Sequence, residues 1–284
     1  MARLICKNLA CVAAFMAILP MTANAYSVFP FNGGTEFLKW GDSNMPATPG
    51  GVVTWSFIPA GTAGDAGYCG TACPGTSVSS INIENSPGTG YTLTPLTSLE
   101  SVITAAMDKW AAVADLTFVK LGSDSGVAVN DPAAVPNATG QIRIGAFNFS
   151  AGGGAVGFAP PPNGGTGAGD ILFDANSFYA FQPGNEGDAF PGASTAPNDI
   201  ESLFLHELGH AIGLAHPNFD GTCPVMQIDS SCLGIINREL DADDIAGAQF
   251  LYGPAAVVPL PAAAWLFGSG LIGLGAVARH RRPV

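Results

Sequence analysis

The feature that most constrains the fold of this chain is the stretch from His206 to His216, which reads HELGHAIGLAH. His206 and His210 are four residues apart, so on a helix both imidazoles lie on one face, about one turn apart. Two imidazoles at this spacing can bind one tetrahedral Zn²⁺. Gly213 can adopt a positive φ and end the helix, which lets the chain turn and present His216 as a third ligand. Glu207 lies beside the pair and can accept a proton from a water molecule at the metal.

A buried helix with core histidines that bond only to other protein groups is the alternative explanation of this stretch. The chain has four histidines, and three of them fall here at metal-ligand spacing. That coincidence is hard to obtain without a metal, and the full eleven-residue pattern is far more specific than its first five residues. The sequence therefore predicts a zinc site with His206, His210 and His216 as ligands and Glu207 as the catalytic base.

The acidic residues are concentrated in the central part of the chain. Residues 26–254 contain all 22 acidic residues and only five basic ones, whereas the flanking segments contain no acidic residue. We do not expect so acidic a region to bind nucleic acid, because both carry negative charge. The acidic residues could instead bind Ca²⁺ or keep the protein soluble. The 37 glycines and 22 prolines indicate many loops rather than a helical bundle.

The first 25 residues have the pattern of a secretory signal peptide. Basic residues precede an apolar run, and residues 23–25 (Ala-Asn-Ala) fit the cleavage site of signal peptidase. A lipoprotein signal at Cys11 fits less well, because the apolar run continues past that cysteine, and the flanks disfavour an ordinary N-terminal helix. We therefore expect export and a mature chain that begins at Tyr26.

Export would place the cysteines in an oxidising compartment, where disulfides form and persist. Four cysteines follow residue 25, which favours two disulfides over a structural metal site. Sequence alone allows three pairings, of which we expect Cys69–Cys73 and Cys223–Cys232. The second pair would bracket Met226.

Hydrophobic periodicity predicts three main helices. Apolar residues recur every three or four positions in 96–114, a second helix begins near Asn198 and carries the metal ligands, and a third covers 241–251. Segments rich in β-branched residues or alternating in polarity predict strands at 51–58, 116–119, 141–147, 155–159 and 171–174. The strand at 155–159 is flanked by glycines and prolines, which favours a position at the edge of a sheet.

Capping and loop-forming residues complete this pattern. Residues 97–100 form a capping box for the first helix, and Asn198 with a glutamate three residues later caps the second. The range 59–95 is rich in Gly, Ser, Thr and Pro and is expected to be loop, with a short hairpin around 78–83. The range 175–197 is expected to be irregular.

The C-terminal segment 255–284 differs in character from the rest of the chain. Residues 262–278 carry no charge and are followed by a cluster of arginines. A membrane segment with a cytoplasmic basic end fits this pattern better than a buried C-terminal helix, because the basic cluster interrupts an otherwise acidic chain.

The histidine motif and three further features resemble the matrixin branch of the metzincin metallopeptidases. Met226 follows the third histidine, as in the family's Met-turn beneath the zinc. Residues 240–253 are similar to the family's C-terminal helix, and residues 169–174 are similar to its last strand before the active-site helix. The resemblance implies an α+β catalytic domain over residues 26–254. Its parts are a twisted, mostly parallel sheet with an edge strand, three main helices, and a zinc cleft between two subdomains.

The same resemblance implies a zinc-dependent endopeptidase that hydrolyses a protein or peptide substrate. We expect the protein to be a monomer. The substrate would lie extended along the 155–159 strand, and Met226 would form a floor beneath the histidines. A surface or biofilm-matrix binding protein that keeps the fold without turnover is the alternative. The presence of Glu207 argues against it.

Departures from the family pattern change the expected metal content. Matrixins usually carry a second, structural zinc on histidines before the active-site helix, but no histidine lies between Tyr26 and Leu205, so we expect one zinc. Asp170 and Asp174 match the family's calcium-binding aspartates and make Ca²⁺ a candidate cofactor, although Ser177 stands where a glutamate is usual. The chain has no Pro-Arg-Cys-Gly inhibitory switch, so a latent proenzyme is not expected.

The C-terminal segment also has a resemblance of its own. Residues 258–271, with the arginines that follow, are similar to the PEP-CTERM sorting signals of Gram-negative bacteria. This implies recognition by an exosortase-type sorting enzyme. It also implies a protein that is exported from a Gram-negative bacterium, transiently anchored by 262–278, and placed at the cell surface or in the extracellular matrix.

Overall fold

The structure, a computed structural model, describes residues 26–70, 77–85, 88–129, 140–162, 167–190 and 198–256. Its helices are α1 (Ala66–Cys69), α2 (Glu100–Val113), α3 (Ile200–Ala211) and α4 (Ala242–Tyr252). Its strands are β1 (Ser27–Val28), β2 (Pro30–Phe31), β3 (Glu36–Phe37), β4 (Gly51–Phe57), β5 (Ser80–Glu84), β6 (Thr92–Pro95), β7 (Leu116–Lys120), β8 (Ile142–Phe147), β9 (Ala155–Gly157), β10 (Ile171–Asp174), β11 (Phe178–Ala180), β12 (Asn198–Asp199) and β13 (Leu214–Ala215).

A five-stranded sheet with the order β7-β4-β8-β10-β9 forms the centre of the fold. β4 is parallel to β7 and β8, and β10 is parallel to β8. Only β9 runs antiparallel, with Gly157 opposite Ile171. The α+β prediction of a mostly parallel sheet with an edge strand is therefore confirmed.

The central sheet separates two apolar clusters, because successive side chains of a strand point to opposite faces. On one face, Ile144 of β8 and Phe173 of β10 join the main core, which packs α2, α3 and α4 against the sheet. On the other face lies a smaller group, here called the second cluster. Its buried members are Ile58, Cys69, Val129, Phe147, Phe149 and Leu172.

The helix starts differ in detail from the sequence predictions. Asp199, not Asn198, is the N-cap of α3, and its carboxylate accepts from the Ser202 N–H at 3.0 Å. The predicted capping box at 97–100 is wrong: α2 begins at Glu100 after a 3-10 turn, Leu96–Leu99, without a side-chain cap. Leu96 and Leu99 are both buried, and a 3-10 turn places residues three apart on the same side.

A second sheet of four strands, with the order β12-β11-β5-β6, occupies regions predicted to be loop. β11 is parallel to both β5 and β12, and β5 is antiparallel to β6. The prediction of loop is wrong for β6 and β11. The short hairpin expected around 78–83 extends further along the chain, because β5 (Ser80–Glu84) pairs antiparallel with β6 (Thr92–Pro95).

None of the described helices is both long and apolar enough to cross a bilayer. The expected signal peptide at 1–25 and the expected membrane segment at 262–278 lie outside the described residues.

Candidate active site

The three histidines of the motif converge on one point. α3 places His206 and His210 on the same face, and the Nε2 atom of His216 lies 3.2 Å from that of His206 and 2.9 Å from that of His210. Tetrahedral zinc with Zn–N bonds of about 2.0–2.1 Å holds its nitrogen ligands roughly 3.3 Å apart, so the spacing fits this metal. Within the described residues, these histidines form the one group of three or more potential metal ligands.

Backbone carbonyls orient two of the imidazoles. The Nδ1 atom of His206 lies 2.7 Å from the Val225 carbonyl oxygen, and that of His210 lies 2.8 Å from the Leu214 carbonyl oxygen. Because a carbonyl only accepts, each Nδ1 carries the proton, and each Nε2 directs a lone pair at the common point. Lone pairs that converge in this way are the donor set that a cation requires.

The histidines are held in the neutral form that binds metal. Burial is the main cause that lowers the pKa of His206 to about 4 and the pKa of His210 to about 3. Burial also lowers the pKa of His216. Neutral imidazoles are therefore available as ligands throughout the neutral pH range.

Gly213 allows the chain to deliver the third ligand. Its φ is +103°, in the region that favours glycine, and a Cβ built on it would lie 2.1 Å from the Leu38 carbonyl oxygen. The chain turns there and forms β13, which pairs antiparallel with β1. His216 follows directly, so the N-terminal strand helps to hold the ligand segment.

Met226 packs against α3, in a turn closed by a bond from the Gln227 N–H to the Pro224 carbonyl. Its side chain is 2% exposed. A Cβ built on Gly209 of α3 would lie 2.2 Å from its sulfur, so the turn and the helix touch closely at this glycine.

Asp244 supports the site, and the sequence analysis did not identify it as a site residue. Its carboxylate accepts from the Val225 N–H at 2.8 Å and from the Met226 N–H at 3.1 Å, and it completes the capping box of α4. The signal in the sequence was an aspartate three residues after the Asp241 cap. Nothing local showed that this carboxylate also binds a turn eighteen residues earlier.

Glu207 lies between α3 and the edge strand. Its Oε2 atom accepts from the Gly157 N–H at 2.6 Å, and the residue is 6% exposed. Burial raises the pKa of Glu207 to about 7, and the bond from Gly157 acts in the opposite direction. A carboxylate with such a pKa can both accept and return a proton near neutral pH.

The two candidate calcium ligands lie before α3, apart from the histidines. Oδ1 of Asp170 accepts from the Arg143 N–H, and its Oδ2 has no hydrogen-bond partner among the described residues. Asp174 accepts from the N–H groups of Phe149 and Asn176 and from the Ser177 hydroxyl. Both carboxylates thus hold loops, and no third described acidic group joins them in a cluster.

Cys223 and Cys232 form a disulfide with a Cα–Cα distance of 5.4 Å, and the enclosed loop contains Met226. Cys69 is also disulfide-bonded. Cys73, its expected partner, lies outside the described residues.

A cavity of about 270 Å³ opens beside Glu207 and His206. The disulfide loop and the residues after it form one wall, and α3 and the start of β9 form the other. Most of its large side chains are apolar, and they include Phe190, Leu203, Val225, Ile228, Leu233 and Ile235. The cavity is therefore suited to an apolar side chain next to the metal centre.

Comparison with known proteins agrees with this geometry. The chain is 29% identical over 170 residues to metalloendoproteinase 2-MMP of Arabidopsis thaliana, a match that covers 56% of the chain and 38% of that protein. It is 31% identical over 182 residues to stromelysin-2 of Rattus norvegicus, with 60% of the chain and 33% of that protein covered. It is 34% identical over 114 residues to matrix metalloproteinase-16 of Homo sapiens, with 40% and 17% covered.

The chain thus spans little more than a third, or less, of the length of these relatives. The family model for matrixin matches residues 83–253, which include the whole histidine motif, the Met226 turn and α4. With that match and the zinc-binding arrangement of its histidines, the chain belongs to the matrixin family.

Proposed function

We propose that the protein is a zinc-dependent endopeptidase in which Glu207 is the general base. The observation that carries this proposal is the position of Glu207, a buried carboxylate on the same helix as two of three converging imidazoles. His206, His210 and His216 would hold the metal, one ion per molecule. A zinc ion bound there supplies a water of lowered pKa and polarises the carbonyl of the scissile bond.

The protein's own groups account for the remaining steps. The Gly157 N–H fixes Glu207, whose carboxylate accepts the proton of the attacking water and passes it to the amine that leaves. β9 is the last strand of its sheet and offers free backbone groups, along which an extended peptide can pair. Met226 supports the ligands as a floor.

The variant Glu207→Gln tests this assignment, because glutamine keeps the shape and one acceptor oxygen but cannot take the proton. We expect casein cleavage to fall by at least ~100-fold, in the range typical of a lost general base. Metal analysis should still find one zinc. A variant with the wild-type rate would refute the role of Glu207, and two zinc ions per molecule would contradict the single site.

A chelator control separates catalysis from binding. Wild-type cleavage should stop on chelation and return when zinc is added. A preparation that binds protein substrates but never cleaves them, with zinc present, would instead support the alternative of a binding module on this fold.

The sequence supports four further proposals, two about processing, one about a disulfide and one about a second metal. Signal peptidase would release a chain that begins at Tyr26, and an exosortase-type enzyme would act on the segment 255–284. Cys69 would pair with Cys73. Ca²⁺ remains a candidate at Asp170 and Asp174, and calcium titration of the unfolding temperature would test it.

A further inference from the structure

Four residues, here called the 211–214 turn, connect the end of α3 to His216. The last carbonyl groups of a helix find no N–H partner within the helix, so groups elsewhere have to supply the donors. In this turn all four backbone carbonyls accept a hydrogen bond, each from a different donor. The path by which the chain reaches His216 is therefore set by these four donors.

Two of the four donors are buried aromatic side chains. The indole Nε1 of Trp40 donates to the Ala211 carbonyl at 3.0 Å. The hydroxyl of Tyr252 donates to the Ile212 carbonyl at 2.6 Å. Trp40 is 5% exposed and Tyr252 is 0% exposed, so water cannot take the place of either donor without a rearrangement of the core.

The other two donors link the turn to the N-terminal segment and to a second histidine. The Phe29 N–H donates to the Gly213 carbonyl at 3.1 Å. The Leu214 carbonyl accepts from Nδ1 of His210 at 2.8 Å. The position of the turn therefore affects two of the three proposed zinc ligands, His210 and His216.

The Tyr252 hydroxyl joins the turn to the segment before β4. It accepts from the Trp40 N–H at 3.1 Å, in addition to its bond with the Ile212 carbonyl. Because a backbone N–H can only donate, the hydroxyl acts as the acceptor there, and its own proton is directed to Ile212. One hydroxyl in the last residue of α4 thus holds the chain just after the end of α3.

The ring that carries this hydroxyl is closely packed. Nζ of Lys39, a residue that is 1% exposed, lies 5.2 Å from the ring centroid of Tyr252. The same ammonium group donates to the carbonyls of Asp42 and Thr48, at 3.2 and 3.1 Å, so it is itself fixed. A Cβ built on Gly50 would lie 2.8 Å from the ring. The ring has little room to move, and its hydroxyl is a fixed donor for the 211–214 turn.

We infer that Tyr252 is a positioning residue for His216, the third proposed zinc ligand. It is not a ligand itself and acts through the Ile212 carbonyl. Without the hydroxyl, that carbonyl is buried without a donor, and the turn gains other conformations in which His216 does not meet the other two histidines. The inference rests on the proposed function and extends it, because it names the residue that holds the third ligand in place.

The first experiment measures zinc affinity. The variant Tyr252→Phe removes the hydroxyl and keeps the ring. Zinc binding by the full chain is followed in competition with a chromophoric chelator. We expect binding about tenfold weaker than in wild type, at the lower end of the loss that follows removal of groups that orient metal ligands. A zinc affinity equal to that of wild type would overturn the inference.

The variant Tyr179→Phe is the matched control. Tyr179 is also 0% exposed, and its hydroxyl also donates to a backbone carbonyl, that of Asp174 at 2.8 Å. It belongs to β11, however, and its hydroxyl makes no bond to the 211–214 turn. We expect both variants to lower the urea midpoint and only Tyr252→Phe to weaken zinc binding. An equal loss of zinc affinity in the two variants would indicate general loosening of the fold and would reject a positioning role.

Two further measurements test whether His216 is the ligand concerned. With Co²⁺ in place of zinc, the visible absorption depends on the geometry of the ligands. Tyr252→Phe should therefore change the spectrum, and Tyr179→Phe should leave it as in wild type. In a His216→Ala background, Tyr252→Phe should weaken metal binding much less than in wild type, because the ligand that it positions is absent. An undiminished loss in that background would reject the assignment to His216.

These measurements do not depend on turnover, so they separate the inference from the proposed function. A wild type that binds zinc, loses affinity in Tyr252→Phe and never cleaves casein would reject the peptidase and retain the positioning role. A wild type that cleaves casein, with the same zinc affinity in Tyr252→Phe, would reject the positioning role and retain the peptidase.

Discussion

At the scale of single residues, the buried carboxylate of Asp244 connects α4 to the metal centre without touching it. It binds the N–H groups of Val225 and Met226, and the Val225 carbonyl in turn holds Nδ1 of His206. Burial raises the pKa of Asp244 to about 6, although three backbone N–H groups act in the opposite direction. The orientation of His206, a proposed zinc ligand, thus depends on a side chain of a different helix.

Replacement of this carboxylate should therefore affect both stability and metal binding. In Asp244→Ala the buried N–H groups of Val225 and Met226 lose their acceptor, at a cost of roughly 1–3 kcal/mol for each. We expect a lower urea midpoint and faster loss of zinc to a competing chelator. The exposed Asp108→Ala is the control. Equal unfolding curves for the two variants would contradict this role.

Residues whose role depends on local spacing were predictable from the sequence. His206 and His210 lie four positions apart on one helix, so their common direction follows from helix geometry alone, with Glu207 beside them. The roles of Asp244 and of the Gly157 N–H depend on contacts between distant elements. No periodicity within one segment encodes such contacts, and for that reason the sequence did not reveal them.

At the scale of elements, the close approach of α3 to the Met226 turn depends on Gly209. The virtual Cβ of Gly209 lies 2.2 Å from the Met226 sulfur and 3.2 Å from the Trp110 ring. Met226 and Trp110 are both buried, so neither can swing into solvent. The helix, the turn and α2 meet at this one position.

A double-mutant cycle tests this contact. Gly209→Ala should destabilise the fold by roughly 1–3 kcal/mol through overpacking, and Met226→Ala by roughly 2–5 kcal/mol through the cavity it leaves. The double variant should lose clearly less stability than the two single variants lose together, because the new methyl group occupies space that Met226 has vacated. Additive changes in the free energy of unfolding, measured in urea, would show that the two positions do not interact.

Elements with a continuous apolar pattern were predictable, and elements that depend on pairing were not. α3, α4 and the strands β4, β8 and β10 follow from their apolar residues, since each buries a face against the core. The segment of β11 reads Phe-Tyr-Ala, too short to stand out among loop residues, and that of β5, Ser-Ile-Asn-Ile-Glu, is predicted only as part of a short hairpin. The pairing of β5 with β11 joins residues about 95 positions apart in the chain, beyond the reach of a local pattern.

At the scale of the whole molecule, one ion pair joins the four-stranded sheet, the start of α3 and the segment before α4. Arg238 donates to both carboxylate oxygens of Asp199, at 2.6 and 2.9 Å, and the Gln182 N–H donates to the same carboxylate. Burial alone would raise the pKa of Asp199, but the bonds from Arg238, Ser202 and Gln182 outweigh it and hold the pKa below its usual value.

This pair should make part of the stability depend on pH. The pKa of the Asp199 carboxyl is lower in the folded chain than in the unfolded chain, where it is about 3.9. The ionised carboxylate therefore stabilises the fold fully above about pH 3.9, and this stabilisation is lost as the pH falls further. We expect Asp199→Asn to be less stable than wild type by roughly 1–3 kcal/mol at pH 7. The difference should shrink between pH 4 and pH 3. Urea midpoints across this range provide the measurement, and a constant difference would refute the prediction.

The pairing of β1 with β13 bears on when the histidine centre can form as the chain is synthesised. The segment that ends in His216 needs no strand that is made after it, because its partner residues, Ser27 and Val28, emerge from the ribosome long before Leu214 and Ala215. The turn that supports His206, in contrast, lacks its acceptor until Asp244 has been made. Tyr26 packs on Phe250, so the first described residue also meets the last helix. A nascent chain therefore carries an incomplete centre until nearly all of residues 26–250 have been made.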